Sequence, residues 1–214
     1  MSIDHAIEAI ENFQGASLTE SLSSIEAHIK RFDLNDIQSF CDSRGINDAF
    51  MASALSIKKI AGQINVVIHA AGILCSLQSI MEPGEVVENV SLGAGNAGRK
   101  FDLETNFRVA EYKFIDWQGG SESIRQNGIF KDFFELAEHK TPKRKFLYVV
   151  GTEFPLRFLQ GGRALTSVLS RYPTILARIT EKYGSGIERV CDYYDLKKQE
   201  VNICDVAPCI GRSA

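Results

Sequence analysis

A chain of 214 residues with 44% hydrophobic and 24% charged residues has the composition of one packed domain with decorations, which excludes wholesale disorder. Its net charge of −3 argues against a generally basic nucleic-acid coat, and its five cysteines, odd in number and without a CxxC pair, read as reduced thiols of a cytosolic protein. The opening MSIDHAIEAIENFQ has neither a basic n-region nor an unbroken apolar stretch, so it does not read as a secretion signal.

Residues 1–52 read as an acidic helical extension. Ile3, Ile7 and Ile10 recur at helical spacing, as do Leu18, Leu22, Ile25 and Ile29. Asp33 to Arg44 forms a third short helix, stopped by Gly45. Residues 53–81 then read as one long, largely buried helix, ended by Glu82-Pro83-Gly84. Its apolar run Ile64–Leu77 is broken by Asn65, His69 and Ser76 and falls short of the roughly 20 residues a membrane helix needs. Burial is therefore expected, and no membrane.

A first strand is expected at Glu85–Leu92, where Val86, Val87 and Val90 supply β-branched residues. The glycine-rich stretch at 93–98 fits neither a P-loop nor a dinucleotide fingerprint, because no helix opens after it; a flexible connection is expected. Lys100–Thr105 and Arg108–Ile115 read as two strands joined at Asn106-Phe107. A helix over about Glu122–Glu138 follows, with Ser121 as N-cap and Phe130, Phe133, Phe134 and Ala137 on its apolar face. Phe146–Val150 is a short apolar strand of the kind buried between neighbours. Helical segments follow at roughly 161–170 and 173–183, and the tail from Ile187 is mixed. The expected class is α/β, divided as an extension over 1–52, a core over 53–183 and a C-terminal extension over 184–214.

Charge is distributed unevenly. Residues 1–95 hold 5 Lys/Arg against 12 Asp/Glu, and residues 96–214 hold 19 against 15, so the second part is the half suited to a polyanion.

The hairpin carries the chemistry. With Asn106 and Phe107 as a two-residue turn, Asp102 lies across from Glu111 and Lys100 across from Lys113. Facing Cα atoms in such a pair are roughly 4.5–5.5 Å apart. Side chains alternate, so Asp102, Glu111 and Lys113 share one face, while Phe101, Leu103, Ala110, Tyr112 and Phe114 form an apolar opposite face. Opposed carboxylates repel, and a divalent cation removes the conflict. Two carboxylates, a backbone carbonyl, waters and a substrate phosphate form a suitable oxygen shell for Mg²⁺. Lys113 then orients the attacking water or stabilises charge in the transition state. The competing reading is an exposed hairpin face on which Lys100 and Lys113 simply neutralise the acids.

The run Phe101-Asp102-Leu103, eight residues, then Glu111-Tyr112-Lys113 resembles the D…(D/E)xK signature of the PD-(D/E)XK nuclease superfamily. The order of elements from about residue 53 to 151 matches that superfamily's αβββαβ core, with a mixed central sheet flanked by helices. The resemblance implies metal ligation by Asp102, Glu111 and the Tyr112 carbonyl, with Mg²⁺ or alternatively Mn²⁺, and a water-positioning role for Lys113. Phe101 stands where many relatives have Pro. The resemblance implies a nuclease acting on DNA, with RNA or tRNA as the alternative substrate, of the phage-defence or toxin type. It also allows a homodimer, since many such nucleases pair to cut both strands.

Secondary positions are Gln126 and Arg125, on the helix where RecB-like relatives carry a Gln, and Lys143 and Arg144 in a basic loop with Lys140 and Lys145, suited to backbone phosphates or to a solvated turn. Glu82, Glu85, Glu88, Gln78 and Glu104 are candidates to complete the metal shell. Trp117 and Tyr148 offer rings for base stacking, with core packing as the default for both. A catalytically silent nuclease-like module, docking a partner or trigger through the acidic N-terminal helices, is the rival from another functional class.

Overall fold

The computed structural model describes residues 3–93, 100–114, 117 and 123–211. They form two compact units, Met1–Asn65 and Val66–Ala214. The division falls inside one helix rather than at residue 52, and no break occurs at residue 184.

The first unit holds α1 (Ile3–Gln14), α2 (Leu18–His28), α3 (Leu34–Ser43) and the start of α4 (Asp48–Ile80). Local chemistry sets the ends. Ser17 caps α2 by accepting from the Glu20 amide, and Asp33 and Asp36 exchange side-chain-to-backbone hydrogen bonds at 2.9 and 3.2 Å to open α3. Gly45, at φ 66°, takes the left-handed turn that ends α3. Among its described residues only Ala6 and Ser53 are buried; ring contacts such as Phe13–Phe50, between α1 and α4, and His28–Phe32 help hold its helices.

The second unit is built on an open five-stranded mixed sheet in the order β1 (Val87–Val90), β2 (Leu103–Thr105), β3 (Arg108–Lys113), β4 (Arg144–Val149), β5 (Asn202–Asp205). The first three strands run antiparallel, and β4 and β5 join in parallel. A parallel pair needs a crossover, which α5 (Ser123–Glu138) supplies between β3 and β4. The expected N-cap Ser121 lies outside the described residues, as does the glycine-rich stretch beyond Gly93. After β4 come α6 (Glu153–Leu159), α7 (Leu165–Val168), α8 (Pro173–Tyr183) and α9 (Val190–Lys197). The tail is therefore no appendage: Val190 and Tyr193 of α9 are fully buried, and β5 completes the sheet.

Both sheet faces are covered. Leu103, Ala110, Tyr112, Tyr148 and Val206 pack on one face with Ile73 of α4. Val109, Leu147 and Val149 pack on the other with Phe130, Phe133 and Phe134 of α5. Gly72 lets α4 approach, since a Cβ there would sit 2.5 Å from the Phe114 ring. Phe101 belongs to the α5 side, not to the Leu103 side as simple alternation predicts. The regular strand begins only at Leu103, so alternation does not extend back to Phe101.

The expectation of a largely buried α4 is also corrected. Ile73 and Ser76 are fully buried, yet Leu55, Ile60, Ile64, Val67 and Leu74 are exposed. The helix is long and apolar enough to cross a membrane by length and composition, and only 17% of its most apolar 18-residue window is buried.

A buried ion network pins the hairpin to the sheet. Arg108 donates from Nε to Glu85 Oε1 at 2.5 Å and from Nη2 to Glu85 Oε2 at 2.6 Å. Its Nη1 reaches the Tyr148 hydroxyl at 2.8 Å, and Thr105 donates to Glu85 at 2.6 Å.

Candidate metal and active site

The hairpin register is Leu103↔Ala110 and Glu104↔Val109, the pairing expected for a two-residue connection at Asn106-Phe107. Thr105 Oγ1 stabilises that connection by accepting from the Phe107 and Arg108 amides at 3.0 and 2.9 Å. Extended by one pair, the register sets Asp102 opposite Glu111. The ladder stops there, and the Asp102 side chain takes its place, with Oδ2 accepting from the Tyr112 amide at 2.9 Å. The N–H and C=O of one strand residue point to the same side, so the Tyr112 carbonyl projects toward Asp102 as well.

The Glu111 and Asp102 carboxyls are close enough for each to perturb the other's protonation. Burial, then the charges of Asp132 and Asp102, push the Glu111 carboxyl up to about 9, against a pull from Lys113. Burial also acts against ionised Asp102. Hydrogen bonds from His69 and from the Tyr112 amide outweigh it, and the carboxyl is held below its ordinary value. Their surroundings thus drive the two carboxyls apart, Glu111 toward the protonated form and Asp102 toward the ionised one. Burial opposes the Lys113 cation, but the neighbouring Asp132, Glu111 and Asp102 carboxyls hold its amine above the usual range.

Two residues not foreseen as site members complete the cluster. His69 of α4 brings Nε2 to 3.4 Å from Asp102 Oδ1, and its ring stands edge-on to Phe114 at 6.0 Å. Asp132 of α5, 4% exposed, lies 2.5 Å from the Lys113 amine. Each broke an apolar pattern in the sequence: a histidine in the run Ile64–Leu77, and an acid between the aromatic residues of α5.

The remaining candidates lie elsewhere. In the parallel pair, Arg144 faces Arg108 and Val149 faces Lys113, so Arg144 lies about 16 Å from Lys113 along the strands. Arg144 binds Glu82 at 2.6 Å, and Lys143 binds Glu88 and Glu104 at 2.6 and 2.8 Å. These pairs occupy Lys143 and Arg144 of the basic loop and, with Glu85 held by Arg108, all four glutamates considered for the metal shell. Gln126 accepts from Arg163, while Arg125 lies beside Lys113 in a cavity wall. Tyr148 is buried against Arg108.

Among the described residues, no three His, Cys, Asp or Glu side chains are grouped to hold one ion. The donor set here is smaller: two adjacent carboxyls and a carbonyl. It fits Mg²⁺, which keeps several waters and uses one or two carboxylates plus substrate phosphate.

The Glu111 proton has a stability consequence. Its folded-state value lies above the unfolded value of 4.5, so the contribution is full below pH 4.5 and is lost as pH rises toward 9. Glu111→Gln, neutral at every pH, is expected to gain on the parent by about 3–5 °C in Tm per pH unit across that window. Thermal melts in EDTA at pH 5, 7 and 8.5 check this; a pH-independent difference contradicts the raised Glu111 carboxyl.

Comparison of the chain with family models, curated proteins and solved structures returns no match.

Proposed function

We propose that this chain is a metal-dependent phosphodiesterase of the PD-(D/E)XK type that cleaves DNA. The observation that carries the reading is the juxtaposition of the Asp102 and Glu111 carboxyls at the point where the hairpin ladder stops, with Lys113 on the same strand as Glu111. Keeping the Glu111 carboxyl beside Asp102 costs stability as the pH rises, and a divalent cation would reverse that cost. The order α4, antiparallel β1–β3, α5, parallel β4 supports the restriction-endonuclease-like αβββαβ arrangement. Five unpaired cysteines favour a reducing cytoplasmic setting.

Asp102, Glu111 and the Tyr112 carbonyl would hold Mg²⁺ or Mn²⁺. When bound, the ion polarises the phosphoryl group and lowers the pKa of water. Around it the chain's own groups divide the work. His69 and the Tyr112 amide fix the Asp102 carboxylate. Glu111, held toward the protonated form, would release its proton to solvent in order to serve as a ligand. Lys113, kept cationic by Asp132, faces the negative charge that builds on the phosphoryl oxygens.

Supercoiled plasmid, linear DNA, single strands and tRNA, each with Mg²⁺ or EDTA, test the reading. Cleavage is expected with Mg²⁺ only, and to disappear in Glu111→Ala and Lys113→Ala with the fold retained. A preference for tRNA assigns the RNA alternative, and polyanion binding without cleavage assigns the silent module. Variants that cut like the parent refute the site.

A further inference from the structure

His69, Gly72, Ile73 and Ser76 turn one face of α4 toward the hairpin, with Gly72 against the Phe114 ring and Ser76 donating to the Tyr112 hydroxyl at 3.2 Å. Roughly opposite, at 3.6 residues per turn, Val67, Ala71 and Leu74 form a second face. Ile60 and Ile64 continue it in the preceding turns of the same helix. Ile60, Ile64, Val67 and Leu74 are 45%, 43%, 56% and 50% exposed, and Ala71 is exposed as well. Their steps along the chain alternate between four and three residues, which is the spacing of a coiled-coil seam. Every residue from 58 to 68 is exposed, and Ile60, Ile64, Val67 and Ile68 among them are β-branched, weak helix formers in water. Such a stretch gains its helical stability from packing of an apolar face, and among the described residues nothing covers this one.

We propose that the cover is a second copy of this chain, the two α4 helices packing antiparallel about a two-fold axis at Val67. In that register Ile60 faces Leu74 and Ile64 faces Ala71. A large residue thus meets a small one across the seam, and both partners use the same surface, as a two-fold contact requires. A parallel pairing sets Ala71 against Ala71 and leaves a gap in the seam. The positions beside the seam, Ala61, Ile68 and Cys75 on one side and Gln63, Ala70 and Leu77 on the other, carry no charge. Charges at such positions select a different partner or repel a like one; without them the seam is complementary to itself. Lipid fits this face less well. A membrane span is apolar all round, whereas these turns carry Gln63, Asn65 and Gln78 and hold His69 3.4 Å from Asp102.

Sedimentation of the full chain decides first. The parent is expected to be a dimer at about 50 µM, and a monomer there overturns the proposal whatever the variants do. Val67→Glu/Leu74→Glu puts carboxylates into the seam at positions that are exposed in the single chain, where Glu is an adequate helix former. It is expected to raise the dimer Kd by about 100-fold or more, with the helical circular dichroism kept. Val66→Glu, exposed on the same helix but outside the seam, is expected to leave the dimer intact. A dimer that survives the double variant, or that Val66→Glu breaks equally, overturns the seam. Cross-linking under mild oxidation reads the orientation, with the parent as baseline for its own thiols. Val67→Cys, at the axis, is expected to cross-link, and Leu74→Cys, facing Ile60, is not; equal cross-linking overturns the antiparallel register. Flotation of the chain with phosphatidylcholine vesicles overturns the proposal in favour of a lipid surface.

Discussion

Asp102→Ala is expected to lower Mg²⁺-dependent cleavage by about 10³-fold or more. The substitution removes one of the two carboxyls, and with it the acceptor for the Tyr112 amide and the partner of His69. Alanine alone confounds lost chemistry with a frayed hairpin. Asp102→Asn separates them, because its amide oxygen still accepts from the Tyr112 N–H while the charge is gone. The Asn variant should melt within a few degrees of the parent and be nearly as inactive as Ala. Its Mg²⁺ affinity, by calorimetry, should fall at least about tenfold. Glu111 provides an internal control: without the Asp102 charge, part of what holds its proton disappears, and proton release on metal binding should shrink. Asn and Ala variants that both retain cleavage would remove the catalytic assignment.

The largest effect on stability is expected from Glu85→Ala. The side chains of Glu85 and Arg108 are 0% and 3% exposed, and the contact is bidentate. Surface pairs contribute about 0–1 kcal/mol, and the pairs of Lys143 and Arg144 belong to that class. A buried pair differs, because deleting Glu85 leaves the buried Arg108 guanidinium with only the more exposed Glu82, 3.1 Å from its Nη2, as a carboxylate partner, at a cost of about 3–5 kcal/mol. For a chain of this size that is roughly 8–15 °C in Tm. Arg108 also reaches the Tyr148 hydroxyl on β4, so the loss should spread from hairpin to sheet. The double variant Glu85→Leu/Arg108→Met should recover most of it, since neither charge is then stranded. Urea unfolding of parent, single and double variants measures this, and a single-variant loss below about 1 kcal/mol would show the network to be peripheral.

The hairpin was legible in the sequence because its constraints are local. A period of two and a two-residue connection fix which residues face each other within the hairpin, and the resemblance of Asp102, Glu111 and Lys113 to a known signature singled them out. His69 and Asp132 were not, because they arrive on helices whose rotation against the sheet is set by packing: Gly72 against Phe114 for α4, and the phenylalanines for α5. Pattern reading failed for Phe101 because alternation holds only within a strand, and the strand starts two residues later. It failed for α4 because an apolar run reports hydrophobicity, not what covers it. It passed over β5 because Asn202–Asp205 is only four residues long, and its pairing with β4 is remote in sequence.

Every member of the acid cluster, and the cavity beside it, falls within the Val66–Ala214 unit. Descent can therefore treat the two parts of the gene differently. A recombination breakpoint near the codon for Asn65 would exchange the leading helices for another set while transmitting the acid cluster whole.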